Sequence, residues 1–491
     1  MKFFKNQELI LLVLLLTTTF LMWFFITRTQ FEGEGFVYFT PELATLKFFP
    51  TLAYDFFARV IFQILPNLFG GKVYLYMWFQ LAWMILTDIA FYLMVRIVTK
   101  NRFIALLATF FFSLSYVGKY DMYSIGGYQY FVQRAVILLP QLVSFIFLSL
   151  YLSRGTYFLS CYFLSLLMYT LSIVMGFFGS WFLPFFVFYP FFYFVFNLKI
   201  VKKHFWRIIW TPIPFLVINL LIIGNNNAIP EQSIQSFIVN NLVHIAEGIS
   251  QQIAALTPGL GEILKRYHQG TLQFEAILSL TIILYVVAFA VIYKVNTNLR
   301  ALAAASLVSL AAILLFNIYL NEANVLRTFG SSRYFYFPFA MVALFWSLFF
   351  YSVAAKGRFY FVLLLIFCSI WLFYNFYRIN ENRKADAWIQ KANKDTISYV
   401  QKLSVMLKDG SVVQLPANIG GYGERFITRF YEKPGTKFSM EINEPLSLEK
   451  LAEQNVDVEK VYILHFDPKT QTVVDQTESI RKQILELKKK L

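Results

Sequence analysis

The sequence contains little charge and almost no cysteine for its length. Only 14% of its 491 residues are charged, whereas 58% are hydrophobic and the mean hydropathy is +0.57. This balance excludes an ordinary soluble domain. The two cysteines, Cys161 and Cys368, lie in apolar runs, which excludes a disulfide framework in the polar part of the chain. The four histidines show no metal-ligand spacing, so we expect neither a metal site nor a cofactor.

Long apolar segments recur along the first 378 residues, and a polar tail follows them. A membrane-spanning helix needs about 20 mainly apolar residues. About eleven segments approach this length, and we place them at 9–27, 73–95, 103–117, 135–153, 156–174, 177–197, 207–223, 276–293, 301–320, 335–354 and 359–377. The sequence therefore predicts an all-α polytopic membrane domain over residues 1–378 and a small extracytoplasmic α/β domain over residues 379–491.

Basic residues are concentrated in alternate loops. Lys and Arg are enriched in cytoplasmic loops of membrane proteins, and the predicted loop with Lys199, Lys202 and Lys203 is one example here. Acidic residues fall in the other loops, including the long segments 28–72 and 224–275. This pattern predicts a cytoplasmic N-terminus and an outer C-terminal domain in the plasma (inner) membrane. It also accounts for much of the net charge of +15 without a nucleic-acid partner.

Shorter elements are predicted outside the spans. In the tail, we expect a long helix that closes on Gly410, strands in SVVQLP and VEKVYILHF, and a terminal helix in TESIRKQILELKKKL. Two short helices are expected before and after the breaker TPGLGE. The apolar spacing in TLAYDFFARVIFQIL predicts a further helix at the membrane interface.

Two glutamates follow the first span directly. Glu32 and Glu34 stand in QFEGEGFVYF, where a carboxylate at the membrane face could act as a general base or pair with a cation. The adjacent glycines would allow close approach of a substrate. Two solvated loop residues are the alternative interpretation.

Arginines and tyrosines mark two other outer segments. Arg327 and Arg333, the latter next to Tyr334, precede a predicted helix, and guanidinium groups suit phosphate oxygens. Asp121 and Arg134 enclose several tyrosines in the other segment. Interfacial anchoring by Arg and Tyr is the alternative for both. Within the spans, Asp88 is the main charged residue, and pairing with Arg96 would explain it.

The whole layout resembles the GT-C-type membrane glycosyltransferases, which include protein mannosyltransferases and aminoarabinose transferases. The resemblance rests on the acidic loop FEGEGFVYF, on the second and third spans, on SSRYFYFPFAMVAL, and on the tail stretch VVQLPANIGGYGERFITRFY. It implies that Glu34 or Glu32 activates the acceptor and that Asp121 is a second acidic residue. Arg333, with Arg327, would face the donor phosphate. Glu-Gly-Glu stands where this class usually has an adjacent acidic pair.

The function implied by the resemblance is transfer of a sugar from a polyprenyl-phosphate-linked donor to a glycan or protein acceptor on the outer face of the membrane. Such a donor stays in the bilayer, which places the reaction at the ends of the helices. Two alternatives remain open from the sequence. One is a non-catalytic GT-C-fold protein that binds lipid-linked glycan, and the other is a transporter of a lipid-linked precursor. A transporter would show a polar path across the midplane.

Overall fold

The computed structural model describes most of the helices and nearly all of the tail. The described residues are 6–28, 65, 67–119, 136–154, 159–175, 181–196, 210–223, 242–257, 260–264, 266–267, 270–294, 297–321, 335–440, 447–454 and 456–490. The predicted interfacial helix at 51–65 lies almost wholly outside this set, which includes only its last residue.

Among the described residues, thirteen helices precede the sheet. They are α1 (Asn6–Trp23), α2 (Val73–Thr99), α3 (Arg102–Ser113), α4 (Val136–Arg154), α5 (Leu159–Met175), α6 (Leu183–Val195), α7 (Ile213–Ile223), α8 (Leu242–Leu256), α9 (Leu260–Leu264), α10 (Leu272–Tyr293), α11 (Thr297–Asn321), α12 (Tyr336–Ala354) and α13 (Arg358–Met406). A 3-10 turn, Phe24–Arg28, extends α1. Each of the eleven predicted spans coincides with one of these helices. Helices α8 and α9 flank the TPGLGE breaker as predicted.

Six of the described helices are long and apolar enough to cross a membrane. They are α1 with its 3-10 extension, α2, α10, α11, α12 and α13. Other predicted spans form shorter apolar helices, among them α3, α4, α5 and α6. Together with the small sheet in the tail, these helices confirm the predicted fold class of a polytopic, all-helical membrane part followed by an α/β unit.

Helix α12 occupies the centre of the helical bundle. It packs against α3, α10, α11 and α13, and most of its side chains are buried. Aromatic rings fill its surroundings: Trp346 makes an edge contact with Tyr285, and Phe350 packs on Phe367 at 4.6 Å between ring centroids. A helix that is apolar on all sides can face either lipid or other helices. In α12, neighbouring helices cover most of the surface.

Helix α13 connects the membrane part to the tail without a break. Its 49 residues correspond to a length of about 74 Å, far more than a bilayer requires. The predicted last span and the first predicted helix of the tail are therefore one helix. It crosses the predicted domain boundary at residues 378–379, and that boundary remains a prediction.

The tail folds around a four-stranded sheet in the order β2-β1-β3-β4. The strands are β1 (Val412–Leu415), β2 (Lys437–Met440), β3 (Val461–Asp467) and β4 (Thr472–Asp475), with helices α14 (Gly420–Tyr431), α15 (Leu448–Glu453) and α16 (Thr477–Lys490). Strand β1 is parallel to β2 and β3, whereas β4 is antiparallel to β3. The sequence predicted β1, β3 and α16, but β2 and β4 were missed.

The tail contacts the membrane part close to the start of α2. A Cβ atom built on Gly71 would lie 2.6 Å from the hydroxyl oxygen of Tyr431 on α14. The Tyr76 hydroxyl donates to the Gly70 carbonyl at 2.9 Å and fixes the turn on the other side. The small size of Gly71 therefore lets α14 approach this turn.

Candidate functional site

Helix α3 ends deep within the bundle. The sequence predicts a span over residues 103–117, but the helix stops at Ser113 after 12 residues, or about 18 Å. This is too short to cross a hydrocarbon core of about 30 Å. Ser113 lies eleven residues after the start of α3, and Asp88 lies eleven before the end of α2. Both are therefore about 16 Å from the turn that joins the two helices.

Side chains from distant helices satisfy the backbone where α3 ends. The Tyr116 amide donates to Asn375 Oδ1 on α13 at 2.9 Å, and the Val117 amide donates to Ser115 Oγ at 3.1 Å. The Ser113 carbonyl accepts from Trp23 Nε1 at the end of α1, at 3.3 Å. Irregular backbone at membrane depth is stable only when protein groups satisfy it in this way. Specific hydrogen bonds thus stabilise the chain where α3 ends.

A buried ion pair lies beside this irregular segment. Lys119 Nζ is 3.5 Å from Asp88 Oδ1, and both side chains have no solvent exposure. The same ammonium donates to the Ser113 carbonyl at 3.3 Å and lies 4.1 Å from the centre of the Phe112 ring. Each contact compensates part of the cost of burying a positive charge. Asp88 and Lys119 are therefore a neutralised pair.

The predicted partner of Asp88 was wrong. Arg96 lies eight residues further along α2, an axial separation of about 12 Å, and residues three or four apart are the ones that meet on a helix. Arg96 instead pairs with Glu8 of α1, with Nε and Oε1 2.8 Å apart. Tyr92 also donates to the Glu8 carboxylate. The sequence contained both partners, but their pairing depends on how α1, α2 and α3 pack.

Gly118 makes a close backbone contact with the start of α12. Its φ is +67°, and a Cβ atom built on it would lie 2.5 Å from the Tyr336 nitrogen and 2.6 Å from the Phe335 carbonyl carbon. Phe112 packs on the Tyr336 ring at 5.6 Å between centroids. Only glycine combines this backbone conformation with this approach. Residues 118–119 and the start of α12 are thereby held together.

We refer to Trp23, Asp88, Ser113, Lys119 and Tyr336 as the junction. They join the end of α1, the middle of α2, the end of α3 and the start of α12 through the contacts given above. Three parts of the chain that include predicted site residues continue from these elements. The first follows Arg28 at the end of the 3-10 extension of α1, the second follows Lys119, and the third precedes Phe335.

The predicted site residues themselves lie outside the described residues. They are Glu32, Glu34, Asp121, Arg134, Arg327, Arg333 and Tyr334. Their roles remain predictions. What the structure describes is the junction, and the sequence signals for it were weak. They were one acidic residue within a span and one lysine in the GKYD stretch after the next span.

An apolar cavity shares helices α3 and α12 with the junction. Its volume is about 230 Å³, and it lies between α3, α10, α12 and α13. The lining is aromatic and aliphatic and consists of Phe111, Thr257, Leu260, Leu284, Phe339, Val342, Ala343, Trp346, Phe350, Phe367 and Trp371. Phe111 and Phe112 are neighbours on α3, so that helix contributes to the cavity and to the junction. A space with this lining suits hydrocarbon.

Within the ranges that the structure describes, no group of three or more His, Cys, Asp or Glu side chains could hold a metal ion. The described part of the junction has one acid and one base, which neutralise each other.

No protein-family model and no curated protein matches this chain. Solved structures of the oligosaccharyltransferase of Archaeoglobus fulgidus are similar to it. One, tethered with an acceptor peptide containing the NVT sequon, is 12% identical with a TM-score of 0.45; the match covers 89% of this chain and 64% of that chain. A second, in complex with an inhibitory peptide and a dolichol-phosphate, is 12% identical with a TM-score of 0.43, covering 94% and 69%.

The apo form of the archaeal enzyme is also 12% identical, with a TM-score of 0.45 and coverage of 94% and 70%. The chain thus spans less than two thirds of the length of the peptide-tethered structure.

Proposed function

We propose that this protein is a membrane glycosyltransferase that moves a sugar from a polyprenyl-phosphate-linked donor to a glycan or protein acceptor on the outer face of the membrane. The observation that supports this most is the junction. It joins the elements from which three chain segments continue, and in each segment the sequence has an acidic or basic residue suited to this reaction.

The three segments start close to these contacts in the sequence. Glu32 and Glu34 follow Arg28 by four and six residues, and Arg28 ends the 3-10 extension of α1. Asp121 follows Lys119 by two residues, and Arg333 precedes Phe335 by two.

The proposed reaction needs two kinds of group. A carboxylate, Glu34 or Glu32 with Asp121 as a second acid, removes the proton from the acceptor nucleophile as it attacks the anomeric carbon. The bond from that carbon to the phosphate oxygen breaks, and the guanidinium of Arg333, supported by Arg327, stabilises the charge on the departing phosphate. Arg134 and Tyr334 would contact the substrate. The apolar cavity nearby could accommodate hydrocarbon of the donor.

The donor class that we propose is of the same kind as the dolichol-phosphate bound to the archaeal enzyme. The N-terminus would be cytoplasmic, and the C-terminal α/β unit would face the cell envelope. That unit contacts the turn before α2, at the end of the segment that contains both glutamates.

The test compares surface glycans by mass spectrometry in cells that lack the protein and in cells complemented with variants at matched expression. Glu34→Gln should abolish one defined glycan and cause its lipid-linked donor to accumulate. Glu42→Gln, the same change in the same segment, should leave the glycan unaltered. If deletion alters the glycan but Glu34→Gln does not, Glu34 is not the base. If the Glu32→Gln and Asp121→Asn variants are also active, the non-catalytic alternative is favoured.

A further inference from the structure

We infer that the Asp88–Lys119 ion pair is a positioning element for the reaction centre, a role that rests on the proposed function. It holds Lys119 and Gly118 in place and so sets the point from which residues 120–135, with Asp121, continue.

The burial of the pair supports this role. Charged residues inside a membrane bundle are costly and are therefore rare unless they serve function. Asp88 and Lys119 have no solvent exposure, and Asp88 lies about 16 Å from the turn between α2 and α3, half the thickness of a hydrocarbon core. A hydrophobic pair of similar volume would fill the same space at lower cost. Packing alone does not require these charges.

The contacts of Lys119 show what the pair fixes. Its ammonium bridges Asp88 on α2 and the Ser113 carbonyl at the end of α3. Its own amide donates to the Tyr116 carbonyl at 3.2 Å and closes a turn. The preceding residue, Gly118, is in backbone contact with Tyr336. The pair therefore ties the irregular segment to α2 on one side, and Gly118 ties it to α12 on the other.

A second ion pair provides a matched control. Glu8 and Arg96 also connect α2 to a neighbouring helix, and Arg96 is eight residues from Asp88. They lie at the opposite end of α1 from Trp23, away from the junction. Neutralising either pair removes one positive and one negative charge from the bundle. Only the Asp88–Lys119 pair should affect the reaction centre.

The first measurement follows hydrogen exchange in the full-length protein in lipid nanodiscs. In the Asp88→Asn/Lys119→Met double variant, the amides of Tyr116, Val117 and Lys119 should exchange faster than in the native protein. In the Glu8→Gln/Arg96→Gln control, they should exchange at the native rate. Slow exchange in the first variant, or equal acceleration in both, would overturn the inference, because the pair would then not hold this segment specifically.

The second measurement is the initial rate of sugar transfer, with the lipid-linked donor that accumulates in the deletion cells as substrate. We expect kcat of the Asp88→Asn/Lys119→Met variant to fall about 100-fold with KM little changed, since a displacement of about 1 Å has that effect. The control should retain native kcat. Native kcat in the Asp88→Asn/Lys119→Met variant would overturn the positioning role. Absence of transfer by the native protein would refute the proposed function, and with it any role of the pair in positioning a reaction centre. The exchange data would still decide whether the pair holds residues 116–119 in place.

Discussion

Gly118 and Tyr336 are in backbone contact, although 218 positions separate them in the sequence. A Cβ atom on Gly118 would lie 2.5 Å from the Tyr336 nitrogen, and the glycine φ is +67°. The contact joins the chain that leaves α3 to the chain that enters α12. In the proposed function, the segments that contain Asp121 and Arg333 continue from the two sides of this contact.

Gly118→Ala should destabilise the protein more than Gly70→Ala. Both glycines have positive φ, which costs other residues about 1–2 kcal/mol, but a Cβ on Gly70 meets nothing within 4 Å. The clash at Gly118 is with backbone and should add about 1–3 kcal/mol. Apparent Tm in detergent, measured for both variants, checks this. Equal losses would show that the contact with Tyr336 can relax.

Removing one charge of the buried ion pair should destabilise the protein more than removing both charges. Lys119→Met leaves Asp88 buried without its partner, and we expect a loss of about 3–5 kcal/mol. Asp88→Asn/Lys119→Met should lie close to the native protein, because no buried charge remains. Thermal unfolding of the three proteins at one protein concentration measures the difference. A double variant as unstable as the single one would contradict the prediction.

Gly71→Ala should weaken the contact between the tail and the membrane part. The added Cβ would lie 2.6 Å from the Tyr431 hydroxyl oxygen, and overpacking of this kind costs about 1–3 kcal/mol. Tyr431→Phe removes that oxygen and should restore part of the loss in the Gly71→Ala background. A double-mutant cycle on apparent Tm tests the coupling. Additive effects on the apparent Tm would mean that residues 71 and 431 do not interact.

Lowering the pH should destabilise the tail, because the carboxylate of Asp475 becomes protonated. Burial would raise the pKa of this carboxyl, but hydrogen bonds from Thr477 and Tyr399 outweigh it and hold the pKa below the usual value of 3.8. A lowered pKa in the folded state stabilises the fold above pH 3.8, and this contribution is lost as the pH falls through the folded-state pKa.

The native protein should therefore have a higher apparent Tm than Asp475→Asn at pH 6, and the gap should close as the pH falls below 3.8. Asp409→Asn, at an exposed position of the tail, serves as the control. A gap that stays constant from pH 6 to pH 3 would show that the carboxylate charge is not responsible.

Local patterns determined much of the fold. Each of the eleven apolar runs predicted as spans overlaps a helix among the described residues, and SVVQLP and VEKVYILHF predicted strands β1 and β3. Strands β2 and β4 lie at the two edges of the sheet, and their short mixed sequences, KFSM and TVVD, show no clear apolar pattern. The candidate site residues were predicted from residue type and position alone, and they remain predictions.

The sequence by itself determined that this is a polytopic membrane protein with a small α/β tail, because hydropathy and periodicity are local properties. The tertiary structure decided where α3 ends and which charges pair. Tyr116 leaves the helix because Asn375, 259 residues away, accepts its amide hydrogen bond. Asp88 pairs with Lys119, because Arg96 lies about 12 Å further along α2, where it meets Glu8 of α1. The end of a helix and the pairing of buried charges depend on which helices meet at the same depth of the bundle. Only the tertiary structure determines which helices meet.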